Sequence, residues 1–323
     1  MIITRTPLRI SLVGGGTDLP AYYREYGPGA VVSFAIDKYM NIVVNEPMED
    51  KVRVSYSTTE IVDWATELKH ELARNCLILH GIARKIEILS VADIPGRGTG
   101  LGSSSAYTVG LTRALDLMQC KVRPLEEVAE EACKVEIDLC EKPIGKQDQY
   151  ACAIGGLNYM TFEQDDRIRI KPITLTPERV EEFGKRFLLF YTGMTRDANA
   201  VLKDQTDNLY RNQVQMEEMA AIANELYADL ATGNFKTIGE KMMQNWRLKK
   251  GLARAISNPA INAYVNVALN WGAEGVKLCG AGGGGFLLVY AHQAAHPEII
   301  AHMGLPAVRV AVEPHGCRMI WRD

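Results

Sequence analysis

Glycines recur at positions 96, 98, 100 and 102 and lead straight into Ser103, Ser104 and Ser105. Glycine accepts positive φ and leaves its N–H unshielded, so such a loop lets phosphate oxygens approach the backbone. An apolar run follows from Ala106, and a helix beginning near Ser104 would add its N-terminal N–H groups and positive dipole end. The serine hydroxyls suit helix capping, phosphate donation or Mg²⁺ coordination. The segment Pro95, Gly96, Arg97, Gly98, Thr99, Gly100, Leu101, Gly102, Ser103, Ser104, Ser105 is therefore read as a phosphate-binding loop. It is not a Walker loop, because no G-x-x-x-x-G-K-[ST] can be drawn through it. The plainer alternative is a flexible loop with a serine N-cap.

Two further glycine clusters weigh against that alternative. Gly280-Ala281-Gly282-Gly283-Gly284-Gly285 is costly to order, which implies backbone passing close to a ligand or to another loop. Gly14-Gly15-Gly16-Thr17-Asp18 ends in a hydroxyl and a carboxylate suited to sugar hydroxyls. A dinucleotide-binding turn is excluded there. The spacing is not G-x-G-x-x-G, and Pro20 follows where the phosphate-binding helix should be established.

Leu125, Val128, Ala129, Ala132, Leu139 and Cys140 form one apolar stripe at helical spacing, and Glu136 falls on it. A buried carboxylate needs a partner, and either Mg²⁺ or an arginine would serve. Glu126, Glu127, Glu130 and Glu131 avoid the stripe and read as surface charge. Asp148 lies in Gly145-Lys146-Gln147-Asp148-Gln149-Tyr150, a polar insertion in a small, apolar stretch. It can cap a helix, or it can accept the proton of an attacking hydroxyl and hold that hydroxyl in line. Lys146 or Arg9, brought close by the fold, would offset charge on a transferring phosphoryl group.

Positioning these groups requires a mixed framework. Ile2 to Val13 reads as a strand running into the Gly14 cluster, with short strands at Val31 to Phe34, Asn41 to Val44 and Val52 to Tyr56. Asp63 to Leu89 shows helical periodicity giving way to a strand-like Lys85 to Leu89. A helix from about Ser104 to Met118 follows the phosphate loop, and another starts at Pro124. Asn158 to Phe162, Arg167 to Ile173 and Leu188 to Tyr191 read as strands. Arg196 to Thr232, Asn234 to Leu252 and Pro259 to Trp271 read as helical. Gly275 to Leu278, Phe286 to Tyr290 and Arg309 to Val312 complete the strands. Strands and helices mix without regular βαβ alternation, so the fold class is α+β. The charged stretch Arg179 to Arg186, before a fresh strand, divides the chain into domains at 1–182 and 183–323.

With 323 residues, 47% hydrophobic, 23% charged and a net charge of -3, the composition is that of a globular protein. Such a charge gives no global attraction to nucleic acid or to an anionic membrane, and neither is expected as a partner. No signal peptide or membrane span stands out. Seven cysteines without a C-x-x-C pair fit free thiols in a reducing compartment, so a cytoplasmic location is expected.

Thr6-Pro7-Leu8-Arg9 through Asp18, Gly98 through Ala106, and Lys277 through Gly285 resemble, in order, the three motifs of the GHMP kinases (galactokinase, homoserine kinase, mevalonate kinase and phosphomevalonate kinase). The resemblance covers nearly the whole chain. It implies a ribosomal-S5-like N-terminal domain and a ferredoxin-like C-terminal domain, with the site between them. It implies ATP and Mg²⁺, with Asp148 as the base, Glu136 and Ser104 as Mg²⁺ ligands, and Arg9 and Asp18 near a sugar. Gly15 and Gly16 stand where galactokinases carry Glu-His, which leaves room for a substrate other than galactose. Gly14 through Pro20 and Gly145 through Tyr150 look most like the subset acting on the anomeric hydroxyl of D-glycero-D-manno-heptose 7-phosphate. A sugar phosphate would want a basic clamp, for which Arg196, Lys249 and Lys250 are the candidates, with Gly282 and Gly283 in the same substrate site. Competing readings are a fucokinase, a phosphomevalonate-type kinase, and a catalytically silent sugar or nucleotide sensor on the same fold. A homodimer is left open.

Overall fold

Successive residues of a strand face opposite sides of a sheet, and from Thr6 to Val13 every residue of the first strand is buried. That strand must therefore be covered on both faces, and the rest of the fold does so. The computed structural model describes residues 1–95, 98–194 and 198–323. Gly96, Arg97 and Arg196 lie outside the described residues.

The elements begin with β1 (Ile2–Val13), α1 (Pro20–Tyr26), β2 (Gly29–Asn45), β3 (Val52–Ser55), β4 (Thr59–Val62), α2 (Glu71–Leu79), β5 (Ile86–Ala92) and α3 (Ser103–Met118). Next come α4 (Leu125–Cys133), a π-helical turn (Lys134–Leu139), α5 (Gln147–Ile154), β6 (Leu157–Phe162), β7 (Ile168–Pro172) and α6 (Pro177–Gly184). The remainder is β8 (Phe187–Tyr191), α7 (Ala198–Asp207), α8 (Leu209–Ala231), α9 (Ile238–Leu252), α10 (Pro259–Asn270), β9 (Ala273–Leu278), β10 (Phe286–Ala291), α11 (His296–Met303), β11 (Ala307–Arg309) and β12 (Arg318–Arg322).

In the larger sheet β2 pairs with β1 along one edge, while its two halves pair with β6 and β5 along the other. The order runs β12-β1-β2-β5-β3-β4, with β7 beyond β6. Only β3 against β5 is parallel. Helix α3 lies across β1 and β2, and Gly110 permits the close approach: a Cβ there would stand 2.8 Å from Thr6 Oγ1. The second sheet, β11-β8-β10-β9, is antiparallel. Its strands lie in the spatial order fourth, first, third, second, with helices filling the first and last connections, which is a ferredoxin-like arrangement. All of β10 is buried, and each such Leu, Val or Phe contributes roughly 1.5–3 kcal/mol on leaving water. The fold is that of the mixed α+β class.

Several local expectations change. Val31 to Phe34 and Asn41 to Val44 belong to one strand, because both segments pair with β1 around an irregularity at Pro7/Leu8. Helix in the 63–89 stretch is confined to α2, after a short 3₁₀ turn at Ala65–Glu67, and Gly81 closes it at φ +68. The stripe after Pro124 does not reach Cys140 as an α-helix. The π-helical turn adds residues to the helical circuit, which leaves Leu139 exposed and Glu136 with no accessible surface. Glu126, Glu127 and Glu130 are exposed, as expected, and Glu131 is half-buried; Tyr150 Oη donates to Glu130 at 2.6 Å and Arg123 to Glu131 at 2.8 Å. The strand expected at Arg309 to Val312 lies at Ala307–Arg309, and Val312 makes only an isolated bridge to Ile36. Strand β12 was not foreseen; it returns the end of the chain to β1. Among the described residues no helix is long and apolar enough to cross a membrane.

Candidate active site

Gly102 precedes α3 at φ +78, a conformation that favours glycine. No side chain caps this helix, so the first-turn N–H groups face outward from its positive end. Ser103 is occupied with Thr99, hydroxyl to hydroxyl at 3.2 Å, and Ser105 is buried. Pro95 and Gly98 are exposed on the approach to the loop, and Leu101 is buried beneath it.

The third glycine cluster is pressed against this loop. A Cβ on Gly100 would come within 2.4 Å of Cys279 O, and one on Gly285 within 2.6 Å of Gly98 O. Phe286 N–H donates to Thr99 O at 3.1 Å. These glycines pass close to another loop, and Gly280 and Ala281 of the same cluster also line a cavity beside Asp148. Gly282 and Gly283 are not among the residues that line that cavity. A Cβ on Gly282 would meet Ile256, and Gly283 N–H donates to Ile256 O at 2.9 Å.

Arg9, on β1, joins the loop to the carboxylate expected to act as base. Its Nε and Nη2 form a fork on Asp148 at 2.7 and 2.5 Å, and its Nη1 donates to Gly100 O at 2.8 Å. Burial pulls the Arg9 guanidinium down, but Asp148 outweighs it and the net direction is up. Asp148 stands in the first turn of α5. Lys146 does not join this pair. Its ammonium points to Glu130 at 3.4 Å and Asp166 at 3.9 Å.

Ser104 Oγ donates to Glu136 Oε2, and Lys142 Nζ reaches both, at 3.0 and 3.1 Å. Gln149 Nε2 holds the other Glu136 oxygen at 3.0 Å. One hydroxyl and one buried carboxylate at the same point fit a hard divalent cation, which would have to displace the Lys142 ammonium from these two oxygens. Mg²⁺ commonly takes one or two carboxylates and completes its shell with phosphate and water. Among the described residues no group of three or more His, Cys, Asp or Glu could hold a metal by itself.

Beside Asp148 a cavity is lined by Arg9, Ser11, Gly16, Asp18, Gln147, Gln205 and Lys249, with Leu19, Ile144 and Leu202 as apolar wall. Asp18 Oδ1 accepts from Gly16 N–H at 2.9 Å and Gln147 Nε2 at 2.8 Å, and Oδ2 accepts from Gln147 N–H at 3.2 Å. Burial, then the charge of Asp148, push the Asp18 carboxyl up, against these N–H bonds. Lys249 Nζ donates to Gly280 O at 2.6 Å, and burial pushes its ammonium down to about 8. Behind it Lys277 donates to Ser11 O at 2.7 Å and Leu12 O at 3.1 Å; burial, then the charge of Lys249, push it down to about 7.

The fold thus brings Arg9, Asp148, Gly16, Asp18 and Lys249 to one cavity, with Ser104 and Glu136 near the start of α3. It leaves others aside. Thr17 Oγ1 is bonded to Gly14 O at 2.9 Å and Ala30 N–H at 3.0 Å, so its hydroxyl closes the turn. Lys250 sits one residue round α9 from the cavity, 3.5 Å from Asn262 Oδ1. Gly15 faces Gln147 and Ser11 Oγ. Residue-by-residue reading passed over Gln147, Lys142, Gln149, Gln205 and Lys277. Only Lys277 carried a signal, as a lysine between Val276 and Leu278 in the buried half of its strand.

Two family models match this chain: GHMP kinases N terminal domain over residues 56–156, and GHMP kinases C terminal over 226–304. The chain is 28% identical over 304 residues to a D-glycero-alpha-D-manno-heptose 7-phosphate kinase of Campylobacter jejuni, covering 90% of this chain and 89% of that one. It is 26% identical to an L-fucokinase/L-fucose-1-P guanylyltransferase of Bacteroides fragilis, over 89% of this chain and 34% of the larger protein. In fold it is similar to the crystal structure of a D-glycero-D-manno-heptose 1-phosphate kinase from Bacteroides thetaiotaomicron, with TM-score 0.80 and 20% identity over 100% and 99% of the two chains. A Streptococcus pneumoniae phosphomevalonate kinase is as similar in fold, with TM-score 0.80 and 16% identity over 97% of this chain and 100% of that one.

Proposed function

We propose that this chain, which belongs to the GHMP kinases and is an ATP-dependent phosphotransferase with an alcohol acceptor, is a sugar 1-kinase. Its acceptor is the anomeric hydroxyl of a heptose 7-phosphate, of the D-glycero-D-manno configuration, and its product feeds nucleotide-activated heptose for surface polysaccharide. The observation that carries this reading is the Arg9 fork, which ties Asp148, beside the cavity, to Gly100 of the glycine loop. The heptose 7-phosphate kinase relative supports the choice of sugar. The division at 1–182 and 183–323 remains our proposal for the domains.

The first-turn N–H groups of α3 and the glycine loop hold the nucleotide phosphates. Asp148 accepts the proton of the acceptor hydroxyl as its oxygen attacks the terminal phosphorus and ADP leaves. Arg9 fixes the orientation of that carboxylate and places positive charge beside the phosphoryl group in flight. Ser104 and Glu136 would hold Mg²⁺, which supplies charge neutralisation on the phosphate oxygens. Asp18 and Lys249 bind the acceptor, and Gly16 lets it lie against the backbone.

The test is a ³¹P NMR assay with ATP and a panel of heptose 7-phosphate, L-fucose, galactose and phosphomevalonate. A new anomeric phosphate only with the heptose 7-phosphate is the expected outcome. Transfer to phosphomevalonate alone refutes the sugar assignment. Transfer to L-fucose alone supports the second reading, which the Bacteroides fragilis relative favours.

A further inference from the structure

Gln147 is 8% exposed and sits between the base and the acceptor wall, with both ends of its amide in different situations. Its Nε2 donates to Asp18 Oδ1 at 2.8 Å, and its backbone N–H to Asp18 Oδ2 at 3.2 Å. A carboxylate that already accepts N–H bonds on both oxygens requires the nitrogen of the amide, which fixes which way the group points. Its Oε1 is then turned away from Asp18, and this buried atom has no hydrogen-bond partner among the described residues.

A buried amide oxygen left without a donor is disfavoured by about 1–3 kcal/mol, so such orphans usually await a ligand or a water. The same cavity holds Asp148 and its Arg9 fork. Gly15 is what leaves the amide room: a Cβ there would stand 3.4 Å from Gln147 Nε2 and 3.8 Å from Oε1. Any longer side chain at 15 would press on the amide or cover it.

We propose that Gln147 is a specificity-determining residue whose Oε1 accepts a hydrogen bond from a second hydroxyl of the acceptor, distinct from the hydroxyl that Asp148 deprotonates. The ligand class is therefore a polyol, with a donor hydroxyl held while another one reacts. This rests on the sugar-kinase reading and adds to it the side chain that distinguishes one hydroxyl pattern from another.

The experiment compares the whole protein with Gln147→Met, a change that keeps the volume and removes both polar ends. Each is assayed with the sugar that the wild type phosphorylates and with its singly deoxygenated analogues. In the wild type one analogue is expected to lose about 10- to 100-fold in kcat/KM. In Gln147→Met that ratio should collapse toward one, while the other analogues keep their wild-type ratios. A ratio of two acceptors on one enzyme does not depend on the folded fraction, so partial misfolding of the variant does not blur the result. Equal ratios in both proteins, or no analogue that the wild type discriminates, overturn the role of Gln147 alone. A wild type that neither turns over nor binds any sugar by titration calorimetry, or that takes only an acceptor with a single hydroxyl, overturns the sugar reading and Gln147 with it.

Discussion

The two halves of the proposed site are built on different principles. The phosphate half is largely backbone: a glycine turn at Gly102, the uncapped first turn of α3, and a second glycine loop packed so closely that Gly100 and Gly280 admit no Cβ. The acceptor half is made of side chains, with Asp18, Gln147, Asp148 and Lys249 drawn from β1's outlet, α5 and α9. Backbone N–H groups recognise any phosphate in much the same way. Side-chain geometry is what can be altered to suit one alcohol and refuse another. A family that keeps its phosphate donor and changes its acceptor would be expected to divide its site in this manner.

That contrast can be broken most sharply at Asp148. Replacement by Asn keeps the shape and leaves an acceptor for Arg9, which an alanine would strand as a buried unpaired cation. We expect Asp148→Asn to lower kcat by about 10³-fold while nucleotide affinity stays within about twofold. A loss of nucleotide binding of the same size would merge the two halves into one unit. Glu136→Gln comes next. It should lower kcat/KM about 10²-fold and raise the Mg²⁺ concentration needed for half-maximal rate, read from a metal titration at fixed ATP. An unchanged metal requirement would remove Glu136 from the phosphate half.

Lys249 sharpens the comparison through pH, because stability and acceptor affinity should move in opposite directions. Its folded ammonium titrates near 8, below the usual 10.5. Below pH 8 it is charged in both states and its burial cost is fully present. Between 8 and 10.5 the unfolded chain keeps the proton that the folded one has shed, so stability rises with pH, by at most about 3 kcal/mol. Over the same rise the acceptor site loses its cation, and the KM for a sugar phosphate should climb about tenfold. Lys249→Met should flatten the kinetic trend and only reduce the stability trend in denaturant unfolding, leaving the part that Lys277, held down to about 7, contributes. The smallest effect belongs to Thr17→Val. Loss of the hydroxyl that ties Gly14 to Ala30 should cost about 1–2 kcal/mol of stability and leave acceptor selectivity as it was. A selectivity change there would return Thr17 to the acceptor half.

The glycine clusters, the helix that begins at the serines and the carboxylates at 136 and 148 were legible in the sequence because each depends on local chemistry. Glycine has no side chain wherever it lies, and a run of glycines before an apolar helix offers N–H groups in any fold. Sequence therefore determined the class of donor chemistry, the mixed α+β framework and the family resemblance. Tertiary structure decided the rest. Lys146 and Lys250 were read as site cations, but α5 and α9 turn their ammonium groups toward Glu130 and Asn262. Lys249 takes the cavity instead because one residue along a helix is a rotation of about 100°. Glu136 is buried as the stripe implied, but Leu139 is exposed because a π-helical turn follows α4, which a stripe at α-helical spacing does not encode. Gln147 became visible only as an amide whose nitrogen is already spoken for by Asp18. Which end of a side chain is left without a partner depends on neighbours more than a hundred residues away, and so no reading of the sequence by itself could have supplied it.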